Sequence, residues 1–143
     1  MSLSKILKLQ KNKEDLRITI NDLRIKMDRF DLENRLISFA ALIIKMAESL
    51  PNTPIGIYLK GQIVRSGTSP ALNYGEVQSA ESKKDFIHKM SICLKELRET
   101  FVGIKIIKSS ELIIKNKLLD ECYTENNELI SIFVKSIETA KKK

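Results

Sequence analysis

The chain has 143 residues, which fits one domain large enough to bury a hydrophobic core. Its 25 Lys and Arg outnumber its 18 Asp and Glu, and the net charge of +7 favours anionic partners such as nucleic acid without specifying one. No run of about 18 apolar residues occurs and the first residues lack the apolar stretch of a signal peptide, so we expect no membrane span and a cytoplasmic location.

Residues 1–30 are predicted to form an N-terminal extension with two possible structures. Leu9, Leu16, Leu23 and Phe30 recur every seven residues, which is typical of an amphipathic or coiled-coil helix. The alternation of apolar residues on both sides of Asn21-Asp22 fits a β-hairpin instead, although Asn-Asp is a poorer tight turn than Asn-Gly. The helix is the favoured interpretation.

The first helix of the main domain is predicted over residues 32–50, and Pro51-Asn52 ends it. Its apolar residues extend beyond a single stripe, because Ile37, Ala40, Ala41 and Ile44 lie beside the inner face. A helix that is apolar nearly all round is usually buried on two sides. In a domain of this size the second buried side suggests an oligomer.

The second helix is predicted to begin after Thr53, a suitable N-cap, with Pro54 at the first helical position. Pro70 argues for a break at residues 66–69, because an interior proline costs about 3 kcal/mol or more. The apolar spacing nevertheless stays in phase from Leu59 to Val77. One kinked helix is therefore the favoured interpretation.

The third helix is predicted from Ser82-Lys83-Lys84-Asp85, which resembles a capping box with Asp in place of Glu, to about Lys108. The fourth begins near Asn116 or Lys117. Cys93 and Cys122 fall on apolar faces and are predicted to be reduced core residues, and Asn126 needs a hydrogen-bond partner if it is buried. The third helix should face the core with Phe86, Met90, Leu94, Leu97, Phe101 and Ile104. Four such helices with short connections predict an all-α, antiparallel up-down-up-down four-helix bundle over residues 31–143.

A polar stripe on the third helix is the candidate nucleic-acid-binding surface. Cations spaced along a helix can follow phosphates and give affinity without sequence readout. The alternative is an ordinary solvated face in which Glu96 and Glu99 form local ion pairs. Aromatic residues for base stacking are lacking on this face, which disfavours sequence-specific readout of single strands. The candidate contacts are Lys84, His88, Lys95, Arg98 and Lys105.

No catalytic or metal-binding pattern is recognisable. His88 is the only histidine, and a zinc site would need clustered Cys and His. The hydroxyls of Ser66, Thr68 and Ser69 have no plausible base beside them. We therefore expect a non-enzymatic protein without a metal or cofactor.

Three segments together carry a family resemblance: Arg65-Ser-Gly-Thr-Ser-Pro-Ala-Leu-Asn-Tyr-Gly-Glu76, Ala80-Glu-Ser-Lys-Lys-Asp-Phe-Ile-His88 and Leu94-Lys-Glu-Leu-Arg-Glu-Thr100. The chain resembles, over roughly residues 30–140, the small bacterial four-helix-bundle family whose founding members are encoded by intervening sequences in large-subunit ribosomal RNA genes. The resemblance implies that the second helix runs on through Pro70 and that the protein assembles as a homopentameric barrel. Related accessory proteins of diversity-generating retroelements are such pentamers and work with reverse transcriptase and RNA.

The first of these segments is predicted to serve close packing, within the bundle or between subunits. Its packing or interface residues are Arg65, Ser66, Gly67, Thr68, Ser69, Pro70, Asn73 and Glu76. The predicted function is RNA or DNA binding or scaffolding on the basic helix face. The alternative is a protein-interaction module in which the ring holds a protein partner.

Overall fold

The fold is all-α in the part of the chain that the structure, a computed structural model, describes: residues 13–113 and 117–143, with side chains for residues 31–113 and 117–143. Within those residues there are four helices and no strand, as predicted. Residues 1–12 of the predicted extension, and Asn116 as the alternative start of the last helix, lie outside the described residues. The helices are α1 (Lys13–Glu48), α2 (Pro54–Val77), α3 (Lys83–Ser110) and α4 (Lys117–Lys142).

Helix α1 is longer than predicted. It runs without interruption from Lys13 to Glu48, so residues 13–30 are helical rather than a hairpin, and no helix begins near residue 32. The seven-residue apolar repeat continues directly into the periodic face that follows, and no proline or glycine interrupts it. Residues 35–143 form one compact unit, which holds the end of α1 and the other three helices, and the preceding part of α1 belongs to another.

Side-chain caps explain where α2 and α3 begin. The Thr53 hydroxyl accepts a hydrogen bond from the Gly56 N–H at 3.2 Å, and Pro54 occupies the first turn. The Ser82 hydroxyl accepts from the Asp85 N–H at 3.0 Å, while Asp85 accepts from the Glu81 N–H at 3.2 Å. A capping box would return to the N-cap N–H, but here the reciprocal bond reaches the preceding residue.

Helix α2 continues through Pro70, as the resemblance implies. The proline is buried together with Ser66 and Gly67, so packing offsets the lost backbone hydrogen bond. Its own carbonyl oxygen accepts a hydrogen bond from the Cys93 thiol, with a sulfur–oxygen distance of 3.8 Å. The break considered at residues 66–69 does not occur.

Helices α2 and α3 run in opposite directions, and so do α3 and α4. Arg65 of α2 pairs with α3 residues beyond Cys93, whereas Pro70, later in α2, meets Cys93 itself. From α3 to α4 the order is likewise reversed, since Leu97 contacts Asn126 and Lys108 contacts Asp120. The core between the helices is apolar and includes Phe39, Ile43, Ile63, Tyr74, Leu97, Ile104, Leu129 and Phe133.

Candidate nucleic-acid interface

The cationic face of α3, defined as Lys84, His88, Lys95, Arg98 and Lys105, is exposed along its whole length. It lies opposite the buried side of the same helix because polar and apolar residues alternate with helical spacing. The buried side holds Met90, Cys93, Leu97, Ile104 and Ile107. The predicted residues therefore share one accessible helix face.

Two acidic residues of α3 that could neutralise this face, Glu96 and Glu99, bind a side chain of another helix. The alternative of an ordinary solvated face predicted local ion pairs for Glu96 and Glu99 within α3. The structure shows no such pairs among the described residues. Both bind the guanidinium of Arg65 on α2, Glu96 at 3.2 Å and Glu99 through a second hydrogen bond. Arg65 thereby joins two helices and takes two carboxylates away from the cations of α3.

Three cations of the face have no ion pair within the described residues: Lys84, Lys95 and Arg98. The ammonium of Lys105 lies 4.4 Å from the centre of the Phe101 ring in a cation–π contact, and no carboxylate among the described residues pairs with it. An uncompensated charge can meet a phosphate without first breaking a protein ion pair.

Two lysines that flank the face, Lys89 and Lys108, differ from those within it. Lys89 pairs with Asp85 at 3.1 Å, and Lys108 pairs with Asp120 at 3.2 Å. The hydrogen bond from Lys89, with that from the Glu81 N–H, holds the pKa of Asp85 below its usual value. These pairs tie charges at the two ends of α3 to neighbouring carboxylates.

The predicted packing segment of α2 divides into buried and surface residues. Ser66, Gly67 and Pro70 are buried, and a Cβ at Gly67 would lie 2.7 Å from Cγ2 of Ile43 on α1. The Thr68 hydroxyl donates to the Val64 carbonyl at 2.7 Å. The remaining members are half-buried or exposed: Arg65, Ser69, Asn73 and Glu76. A role between subunits stays a prediction.

Sequence reasoning missed a second arginine that joins two helices. Arg35 of α1 donates to Glu125 of α4 at 2.6 Å and also to Glu128. The hydrogen bond to Glu125 raises the pKa of Arg35. No local spacing could reveal a contact between residues 90 positions apart.

The two cysteine thiols are buried, and the described residues hold no metal-binding cluster. Cys93 and Cys122 are free and buried, as predicted, and burial raises the pKa of each thiol to about 12. Thiols of such high pKa are poor nucleophiles near neutral pH. No group of three or more His, Cys, Asp or Glu in the described residues could hold a metal ion, and no helix among them could cross a membrane.

Comparisons with known proteins agree with this architecture. A solved structure from Bacteroides thetaiotaomicron, a protein of unknown function in the S23 ribosomal protein family, is similar with 28% identity and a TM-score of 0.67. The similarity covers 74% of this chain and 97% of that one. No curated protein matches the sequence. The family described as 23S rRNA-intervening sequence protein matches residues 29–135. The chain therefore belongs to the 23S rRNA-intervening sequence protein family.

Proposed function

We propose that this protein is a non-enzymatic RNA-binding or scaffolding protein that holds phosphates on the cationic face of α3. The observation that carries the proposal is that Glu96 and Glu99 bind Arg65, while Lys84, Lys95 and Arg98 have no ion pair among the described residues. The family takes its description from an intervening sequence of 23S rRNA, so RNA is the first nucleic acid to test. Contacts to phosphates give affinity that depends on salt rather than on sequence.

Replacing Lys95, Arg98 and Lys105 by Glu is expected to abolish binding of a short mixed-sequence RNA. The affinity of the wild type should fall steeply as the salt concentration rises, because the proposed contacts are with phosphates. Fluorescence anisotropy across a salt series measures both quantities.

The matched control replaces Lys45, Lys60 and Lys117 by Glu, which changes the net charge equally on the other helices. This control variant should retain most of the wild-type affinity for the RNA. Equal loss in the two variants would mean that only the overall charge matters, and unchanged binding by the α3 variant would reject the proposed surface. Circular dichroism must show the wild-type helical signal in both.

The proposal includes a homopentameric assembly, which the family resemblance implies. Exposed apolar side chains support an assembly, since Ile37 is 51% exposed, Tyr58 61% and Leu72 75%. Exposed apolar area of this kind often marks protein–protein contact. A ring of five copies would repeat the cationic face and strengthen binding by avidity.

Light scattering coupled to size-exclusion chromatography is expected to give a mass of about 82 kDa, five times the chain mass of 16.3 kDa. The variant Tyr58→Lys with Leu72→Lys should lower that mass, because it places charges among the exposed apolar residues. A wild-type monomer at micromolar concentration would contradict the assembly.

A second candidate function is a protein-interaction module whose ring holds a protein partner. The same exposed apolar residues favour it, because a protein partner can cover them and nucleic acid gains little from doing so. Affinity purification with and without ribonuclease separates the two functions. Protein partners that survive nuclease treatment, together with no affinity for the test RNA, would favour the module.

A further inference from the structure

A groove between the start of α3 and the end of α4 combines cations with an aromatic ring. It has a volume of about 650 Å³, and its lining includes Phe86 and Ile132 along with the lysines 83, 135 and 143. Ser136 and Thr139 add two hydroxyls. The volume lies within the range of sites that hold small organic groups.

The groove is strongly complementary to an anion. Lys83, Lys135 and Lys143 are exposed, and none of them has an ion pair within the described residues. Among the described residues, no Asp or Glu lines the groove. Lys83 is also the first residue of α3, where the positive end of the helix dipole adds to the field. A peptide segment of neutral or basic residues would therefore gain little free energy from binding in the groove.

Phe86 gives the groove a second kind of contact. Its spacing predicts a core position, but the side chain is half-buried and lines the groove instead. An aromatic ring flanked by cations is the arrangement on which single-stranded nucleic acids stack a base while their phosphates meet lysines. An acidic peptide would use the lysines but would gain little from the ring.

The groove and the cationic face lie on the same helix but on different sides of it. Lys83 and Phe86 belong to the first turn of α3, and residues two positions apart on a helix, such as Phe86 and His88, point in nearly opposite directions. The groove is therefore a second cationic surface of α3, separate from the face.

We propose that this groove is a single-strand nucleic-acid site, in which a base stacks on Phe86 and adjacent phosphates contact Lys83, Lys135 and Lys143. The inference rests on the proposed function and gives it a preference for single strands over duplexes, because a paired base cannot reach the ring. The hydroxyls of Ser136 and Thr139 are suited to hydrogen bonds with sugar or phosphate oxygens.

The test uses the full chain and a single-stranded oligoribonucleotide that contains bromouridine, with its duplex as a competitor. Under ultraviolet light we expect a crosslink to Phe86, located by mass spectrometry. Lys83→Glu with Lys135→Glu should lower the salt slope by about 1.4, and Lys45→Glu with Lys60→Glu is the charge-matched control. Phe86→Leu should weaken binding about 10-fold with little change in slope, and Phe86→Tyr should bind like the wild type.

The possible results distinguish failure of the groove site from failure of the proposed function. If the wild type binds no RNA, the proposed function fails, and the groove fails with it. If the wild type binds through the α3 face but the groove variants bind normally and crosslinks lie elsewhere, the groove alone is rejected. Equal loss in the two double variants, or displacement by oligoglutamate as effective as by unlabelled RNA, also rejects it. Should Phe86→Leu fail to fold, the crosslink in the wild type decides.

Discussion

Replacing Gly67 by Ala is expected to destabilise the protein by about 1–3 kcal/mol. The added Cβ would lie 2.7 Å from Cγ2 of Ile43, closer than real Cβ atoms approach their neighbours, and 3.0 Å from Cγ1, which is also a tight contact. Ile43 is itself fully buried on α1, so it has no free space into which to turn. Either α1 and α2 must separate, or the isoleucine must leave its preferred rotamer.

The same substitution at Gly61, in the same helix, is the matched control. No atom of the described residues lies within 4 Å of a Cβ built there. Because alanine favours the helix over glycine by about 1 kcal/mol, Gly61→Ala should stabilise the protein. Urea denaturation followed by circular dichroism measures both variants, at one protein concentration because assembly contributes to stability.

A double-mutant cycle tests whether Ile43 is the cause. Ile43→Ala alone should cost about 2–5 kcal/mol, since it leaves a cavity. In that background Gly67→Ala should no longer be harmful, because the atoms that it meets have been removed, which gives a coupling energy of about 1–3 kcal/mol. Additive effects, or a Gly67→Ala variant as stable as Gly61→Ala, would contradict close packing of α1 on α2 at this point.

Features set by neighbours in the chain could be predicted from the sequence. The caps at Thr53 and Ser82 and the exposed face of α3 follow from residues three or four positions apart, which is the range over which a helix brings side chains together. The passage of α2 through Pro70 followed from apolar spacing that stays in phase on both sides of the proline.

Features set by contacts between helices could not be predicted in this way. Helical spacing suggested local pairing for Glu96 and Glu99, yet Arg65, more than 30 positions away, binds both. Phe86 fits the apolar phase of α3, but the described residues leave it only half-buried, and it lines a groove with the end of α4 instead. The sequence pattern therefore predicted the exposed cationic face of α3. The lack of ion pairs at its lysines and the partial exposure of the Phe86 ring depend on contacts between helices.

Replacing Asn126 by Asp is expected to destabilise the protein by several kcal/mol, because it would bury a charge without a partner. Asn126 is completely buried; its Nδ2 donates to the Leu97 carbonyl at 3.0 Å, and its Oδ1 has no partner among the described residues. A carboxylate would lose that donor and face the Leu97 carbonyl oxygen. The matched control is Asn127→Asp, which adds the same charge at an exposed position.

The loss of stability in Asn126→Asp should become larger as the pH rises. Burial would raise the pKa of the new carboxyl group in the folded state above its unfolded value of about 3.9. The folded protein would then bind more protons than the unfolded chain between the two pKa values, so stability should fall as the pH rises through that window. Urea denaturation of Asn126→Asp, Asn127→Asp and the wild type from pH 3 to pH 8, roughly the span of the two pKa values, measures this. A parallel decline in Asn127→Asp would contradict burial as the cause.

Replacing Asn126 by Leu should instead raise the free energy of unfolding. It removes the unpaired Oδ1, and with it a desolvation cost of about 1–3 kcal/mol, while the Leu97 carbonyl loses only one of two possible hydrogen bonds. We therefore expect a gain in the free energy of unfolding, measured in the same urea series. A loss instead would show that Oδ1 is paired in solution, with a buried water as the simplest partner, and that the amide then specifies how α4 lies against α3.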